Sequence, residues 1–140
     1  MERKYKILII DDETKIRTSF QNYFAKQGFI VDTASNGFEG LNKLREDEFD
    51  VAIVDLKMPK MNGIEMIRQA LADHTDANMV MISNPEESDK KDVINALNIG
   101  VDAWFEKSEF EMPKLVKRVT ELAQVISPEI VRNFTSIIPN

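Results

Sequence analysis

The sequence predicts an α/β fold in which five parallel strands form one sheet and helices cover both of its faces. Short, continuous apolar runs, typical of strands buried on both sides, alternate with segments whose apolar residues recur at helical spacing. The 140 residues, 43% hydrophobic and 30% charged, suffice for one domain with a substantial core. Because βα crossovers are right-handed, such units fold into a doubly wound, three-layer sandwich.

Five segments are predicted to be the strands of this sheet. Four are short apolar runs bounded by polar residues, and residues 31–34 supply another short strand after the first run. The four runs are residues 7–10, 51–54, 79–82 and 103–105.

The segments between the strands have the spacing of five amphipathic helices. Gly28 is predicted to end the first helix and Gly100 the fourth, since glycine adopts the left-handed conformation at least cost. The apolar positions are, in helix order, Ile16, Phe20, Tyr23 and Phe24; Phe38, Leu41 and Leu44; Ile64, Met66, Ile67 and Leu71; Val93, Ile94 and Leu97; and Leu115, Val119, Leu122 and Ile126. Residues 1–126 are therefore expected to form a (βα)5 domain of flavodoxin-like architecture.

Residues 127–140 are predicted to be a short C-terminal helical extension or the stub of a linker. Ser127 suits a helix N-cap, Pro128 the first helical position and Glu129 the first turn. The apolar residues that follow have two readings: they dock on the domain, or they form a dimer or partner surface.

Charge and composition exclude several classes of function. The net charge of -6 argues against direct nucleic-acid binding by this domain, which would need clustered basic residues. Cysteine is absent and His74 is the only histidine, so thiolate and multi-histidine metal sites are excluded. No apolar stretch approaches a membrane span or a signal peptide. We therefore expect a cytoplasmic protein without a membrane partner.

Polar residues follow four of the predicted strands. Asp11 and Asp12 follow the first, and Asp55 follows the third. Ligands of such sheets bind beyond the carboxyl ends of the strands, so these side chains should converge. Two carboxylates 4 Å apart repel each other by about 4 kcal/mol at an effective dielectric of about 20, so the cluster needs a cation. Ligation by oxygen alone indicates Mg²⁺ or a similar hard ion.

The two remaining strand ends carry Ser83 and Lys107. A metal beside Asp55 would make that carboxylate a nucleophile toward phosphorus. Ser83 could then hydrogen-bond one phosphoryl oxygen and Lys107 could neutralise another. The order of residue types along the chain therefore indicates phosphoryl transfer.

Residues 5 to about 126, with these polar residues at the strand ends, resemble the receiver domain of bacterial two-component response regulators. Pro59 and Gly63 in the second matching motif are expected to form a turn, Gly63 through a conformation that other residues avoid. The matching motifs are residues 7–13 (ILIIDDE), residues 55–63 (DLKMPKMNG), the strand that ends in Ser83, and residues 100–107 (GVDAWFEK).

The resemblance implies that Asp55 accepts a phosphoryl group from a histidine kinase or a phosphotransfer protein. It implies that Asp12, Asp55 and the backbone carbonyl of Lys57 bind Mg²⁺ directly, and that Asp11 acts mainly through water. Such a domain is a signalling receiver that catalyses only its own phosphorylation and dephosphorylation.

The resemblance also implies a switch. Ser83 would move toward the new phosphate and Trp104 would turn inward. The surface so reshaped would be read by a downstream effector protein or domain, and a homodimer is one option.

Two residues depart from the family pattern. Asn84 stands where the family mostly has Ala or Gly, and Ser108 where it usually has a proline preceded by a cis peptide. A cis peptide before a residue other than proline costs about 2.5 to 4 kcal/mol. We therefore predict a trans Lys107–Ser108 peptide and a rearranged loop through Phe110.

Two alternatives stay open. The departures at Asn84 and Ser108 would also suit a degenerate receiver that serves as a phosphorylation-independent interaction module. A metal-dependent phosphatase with an aspartyl phosphate is less consistent, because such enzymes generally place a second Asp where this chain has Lys57.

Overall fold

The computed structural model describes residues 3–108 and 111–124. Ile126, the predicted extension over residues 127–140 and the Phe110 end of the predicted loop lie outside the described residues. Strands and helices alternate through the described part. The elements are β1 (Lys6–Ile10), α1 (Thr14–Lys26), β2 (Ile30–Ala34), α2 (Gly37–Glu46), β3 (Val51–Asp55), α3 (Gly63–Ala72), β4 (Asn78–Ser83), α4 (Lys90–Ile99), β5 (Ala103–Glu106) and α5 (Met112–Ala123).

The five strands form one parallel sheet in the order β2-β1-β3-β4-β5. The predicted fold is therefore confirmed. The chain leaves β1 toward β2 and then crosses back to place β3 on the other side of β1. This reversal creates a crevice beyond the carboxyl ends of β1 and β3, the usual ligand position in such sheets.

The four apolar residues of β1 contribute alternately to a core on one side of the sheet or the other. Ile7 and Ile9 pack with α1 and α5, around Phe24, whereas Leu8 and Ile10 pack with α2 and α3. Both faces of the sheet are covered, which explains why the strands are continuously apolar rather than alternating. The central strands therefore lie between two packed cores, beneath the crevice.

The fourth helix forms where the apolar spacing predicted it, but its apolar stripe does not face the core. Val93, Ile94 and Leu97 are 38%, 56% and 66% exposed, and Ala96 is the only buried residue of this fully described helix. Periodicity reports that apolar residues share a face of a helix, and it does not report what covers that face.

The loop after β3 departs from its predicted conformation. Lys60, not Gly63, has the positive φ, 69°, and the N–H of Met61 donates to the carbonyl of Pro59 across it at 2.7 Å, which is a γ-turn. Gly63 is needed for a different reason, because a Cβ there would lie 2.3 Å from the backbone oxygen of Asp55. Glycine thus lets α3 begin directly against the end of β3.

Among the described residues, no helix combines the length and apolarity needed to span a membrane.

Candidate functional site

The predicted site residues lie at one edge of the sheet. Asp11 directly follows β1, Asp55 and Ser83 are the last residues of β3 and β4, and Lys107 directly follows β5. The backbone N–H of Lys107 donates to the carbonyl of Ser83 at 2.9 Å. Parallel pairing therefore brings four residues that are distant in sequence to the mouth of the crevice.

Three carboxylates form a cluster in this crevice. Asp11, Asp12 and Asp55 each offer an oxygen, and these oxygens lie within 4.8 Å of one another. Asp11 and Asp55 are buried, whereas Asp12 is exposed and opens the cluster to solvent. Lys57, whose carbonyl was the other predicted ligand, lies two residues beyond Asp55 in the loop toward α3.

The ammonium group of Lys107 lies among these acids. Its side chain is 1% exposed, and Nζ is 2.9 Å from Asp11 Oδ2, 3.0 Å from Asp55 Oδ1 and 3.2 Å from Glu13 Oε1. No role was predicted for Glu13. Its position next to Asp11-Asp12 was the only available signal, and that did not show that its side chain turns to the lysine.

Several buried carboxylate oxygens are left without a hydrogen bond from any described residue, namely Asp11 Oδ2 and both side-chain oxygens of Asp55. Lys107 Nζ is within ion-pair distance of two of them, but without hydrogen-bond geometry. Buried charged oxygens are normally hydrogen-bonded or metal-bound. The donor set, oxygen only and open on the Asp12 side, fits a hard divalent cation such as Mg²⁺.

The pKa shifts of the clustered groups also favour a bound cation. Burial, and then the negative charge of Asp11, raise the pKa of Asp55 to about 7, although Lys107 opposes the shift. Burial likewise raises the pKa of Asp11. Burial works against the charge of Lys107, but its contacts with Asp11 and Asp55 outweigh that effect and raise its pKa. One buried lysine therefore does not fully compensate the acids, and a bound cation would favour their ionised forms.

Ser83 and Trp104 are in direct contact. The indole N–H of Trp104 donates to Ser83 Oγ at 2.9 Å; Ser83 is buried, whereas Trp104 is half-buried against the core. Trp104 pairs with Met81 on the neighbouring strand. Since Met81 and Ser83 share one face of β4, the strand register could have indicated this contact.

A further neighbour of the site was not predicted. Arg17, on α1, donates to the backbone carbonyl of Asp11 at 2.8 Å, and the N–H of Glu13 donates to Asp11 Oδ1 at 2.9 Å. These contacts orient Asp11. No sequence motif distinguished Arg17 from the other cations of the chain.

The two departures from the family pattern lie beside the site. The Lys107–Ser108 peptide is trans, as predicted. Asn84 is half-buried, and its backbone carbonyl accepts the N–H of Glu87 at 3.0 Å. Both residues leave the acidic cluster intact.

The family model of the response regulator receiver domain matches residues 7–120. The transcriptional regulatory protein YhcZ of Bacillus subtilis is 35% identical over 114 residues, which are 80% of this chain and 52% of that protein. The alkaline phosphatase synthesis transcriptional regulatory protein PhoP, also of B. subtilis, is 30% identical over 125 residues, 88% of this chain and 51% of that protein. The chain thus spans about half the length of the curated relatives it matches.

Solved structures show the same similarity. The response regulator TrrA of Thermotoga maritima, crystallised in complex with Mg²⁺ and BeF, is 27% identical with a TM-score of 0.72; the match covers 84% of this chain and 98% of that one.

Proposed function

The chain belongs to the response regulator receiver domain family, and we propose that it accepts a phosphoryl group on Asp55 from the phosphohistidine of a histidine kinase or of a phosphotransfer protein. The observation that carries this proposal is the position of Asp55. Its buried carboxylate ends a central strand, has two acidic neighbours within 4.8 Å and lies 3.0 Å from a buried ammonium group. That combination suits a nucleophile paired with a charge-stabilising cation.

In the proposed reaction, one Asp55 oxygen attacks phosphorus. A P–O bond forms, the P–N bond to the donor imidazole breaks, and the imidazole nitrogen keeps the electron pair. Asp12, Asp55 and the Lys57 carbonyl would bind Mg²⁺ directly and Asp11 through water; when bound, Mg²⁺ supplies charge neutralisation and a coordination position for a phosphoryl oxygen. The similar response regulator TrrA was crystallised in complex with Mg²⁺ and BeF, which supports Mg²⁺ as the ion.

Lys107 and Ser83 have complementary roles in this proposal. Lys107 neutralises charge on one phosphoryl oxygen, from its place between Asp11 and Asp55. Ser83 Oγ already accepts the indole N–H of Trp104, so its own proton is free to be donated to a second oxygen. Hydrolysis, in which water attacks the same phosphorus and the Asp55 carboxylate leaves, would reset the domain.

Intact-mass spectrometry tests the phosphoacceptor. With phosphoramidate or acetyl phosphate and MgCl2, the chain is expected to gain the mass of one phosphoryl group. Asp55→Asn should lose this gain, because an amide is a poor nucleophile, whereas Asp76→Asn, a change at an exposed acid, should retain it. No gain with any donor would overturn the proposal in favour of a phosphorylation-independent interaction module, the alternative that Asn84 and Ser108 suggest. A gain that persists in Asp55→Asn would refute the assigned residue.

The proposed output is a change in the surface read by a downstream effector protein or domain. The relatives' names, transcriptional regulatory proteins, suggest an effector in gene regulation. We propose a cytoplasmic location, because a phosphohistidine donor is made with ATP. Homodimerisation of this chain stays a prediction.

Ser83→Ala is expected to slow phosphorylation by phosphoramidate about tenfold or more, since one hydrogen bond to a charged group contributes about 1.5 kcal/mol. It should also shift the fluorescence of Trp104, the only tryptophan, by removing its hydrogen-bond acceptor. Ser35→Ala, at an exposed serine bonded to Glu39, should change neither quantity. Unchanged emission in Ser83→Ala would show that the two switch residues are not coupled through this bond.

A further inference from the structure

One ion pair joins the loop after Asp55 to the first turn of α4. Lys57 Nζ lies 3.9 Å from Asp92 Oδ2, and the two side chains are 48% and 22% exposed. A pair this long and this accessible to solvent is weak. A stronger charge near the lysine can therefore compete with it.

Asp92 has a second role at the same place. Its Oδ2 accepts the backbone N–H of Asp89 at 3.3 Å, and Asp89 Oδ1 accepts the N–H of Asp92 at 3.0 Å, which together form the capping box of α4. The oxygen that faces Lys57 therefore also caps the helix. The ammonium group of Lys57 reduces the repulsion between the two capping carboxylates.

Little else holds the start of α4 in place. Ala96 is the one buried residue in this fully described helix. The apolar stripe of α4, formed by Val93, Ile94 and Leu97, is exposed. Segments with few buried apolar contacts open locally at low free energy. The capping box, whose two carboxylates lie beside the Lys57 ammonium group, is therefore a large part of what positions the first turn.

We propose that Lys57 is a charge latch, which pairs with Asp92 while Asp55 is unmodified and turns to the phosphoryl group once Asp55 carries one. The latch rests on the proposed function. A phosphoryl group carries about −1.5 to −2 charges, whereas the free Asp55 carboxyl group carries at most one. Lys57 is two residues away and has a flexible four-carbon stem. When Lys57 turns away, the carboxylates of Asp92 and Asp89 lie side by side without a neighbouring cation. The first turn of α4 therefore loosens, and its apolar stripe shifts.

Hydrogen exchange of the amides of residues 89–95 tests the latch. Phosphoramidate and MgCl2 supply the phosphoryl group, and intact mass gives the fraction modified. Phosphorylated wild-type protein is expected to exchange these amides several-fold faster than the unmodified protein. Lys57→Gln should exchange at the fast rate without phosphorylation and change little on modification. The matched control is Lys60→Gln, at a lysine of the same loop that forms no ion pair with any described residue; it should behave as wild type.

The outcomes separate the latch from the proposed function. If the wild type gains the phosphoryl mass but exchange at 89–95 is unchanged, or if Lys57→Gln responds as fully as wild type, the latch is refuted while the phosphoacceptor stands. If no mass is gained, the proposed function fails and the latch loses its trigger. Asp92→Asn keeps an oxygen for the Asp89 N–H and removes one of the two repelling carboxylates, so exchange at 89–95 should stay slow with and without the phosphoryl group; faster exchange on phosphorylation of this variant, as in wild type, would also refute the latch.

Discussion

Lys107→Met should be destabilised by about 3–5 kcal/mol at pH 8 without added metal, the range expected when one partner of a buried ion pair is removed. The lysine side chain is 1% exposed and lies 2.9 Å and 3.0 Å from buried oxygens of Asp11 and Asp55. Methionine fills a similar volume, so the loss reports charge rather than a cavity. Urea denaturation monitored by circular dichroism measures it, and Lys117→Met, at an exposed lysine of α5, is the matched control.

The pH dependence of this loss has a definite sign. The pKa of Asp55 is raised to about 7 from the ordinary value of 3.8, so the folded state binds a proton more tightly than the unfolded chain. A group of this kind stabilises the fold most below its unfolded pKa and loses that contribution as the pH rises through its folded pKa. Without Lys107 the carboxyl groups should be still harder to ionise.

The deficit of Lys107→Met should therefore be smaller at pH 5 than at pH 8. MgCl2 should recover part of it by supplying positive charge to the same oxygens. An equal deficit at both pH values, or one no larger than that of Lys117→Met, would contradict the assigned role of the lysine.

The fold could be predicted because its signals are local and repeated. Continuous apolar runs mark strands covered on both faces, and Gly28 and Gly100 do end helices with φ of 94° and 96°. The orientation of α4 could not be predicted, because the spacing of Val93, Ile94 and Leu97 is the same whether a core or solvent faces them. Gly63 was predicted to be needed for an unusual φ, but close packing against Asp55 is the reason, and such contacts depend on tertiary structure.

The candidate site likewise has a part that could be predicted from the sequence and a part that could not. Asp11, Asp55, Ser83 and Lys107 could be placed together because parallel strands bring their carboxyl ends to one edge. The approach of Glu13 to Lys107, the bond from Arg17 to Asp11 and the Lys57–Asp92 pair depend on side-chain rotamers and loop paths. Residue spacing in the sequence does not encode side-chain rotamers or loop paths.

Asp55→Asn should make the metal-free protein more stable than wild type at pH 8, by about 1–3 kcal/mol. The substitution keeps the shape of the side chain and removes a buried charge beside Asp11, while Lys107 keeps Asp11 and Glu13 as partners. Because the pKa of Asp55 is raised to about 7, wild type loses stability as the pH rises from 5 to 8, and the amide does not ionise. The advantage of the variant should therefore grow over this interval.

Magnesium should offset most or all of this advantage. A ligand that binds only the folded state stabilises by about 2.7 kcal/mol at a hundred times its Kd, so wild type should gain that amount in saturating MgCl2 and Asp55→Asn far less. Urea denaturation at pH 8 with and without MgCl2 measures both effects, with Asp76→Asn expected to follow wild type. If Asp55→Asn were no more stable than wild type without metal, the buried charge of Asp55 would not be what lowers the stability of the free domain. An equal response to MgCl2 would place the ion elsewhere. Loss of the variant's advantage in MgCl2 would mean that the buried charge of Asp55 lowers the stability of the free domain, and that the cation neutralises this charge.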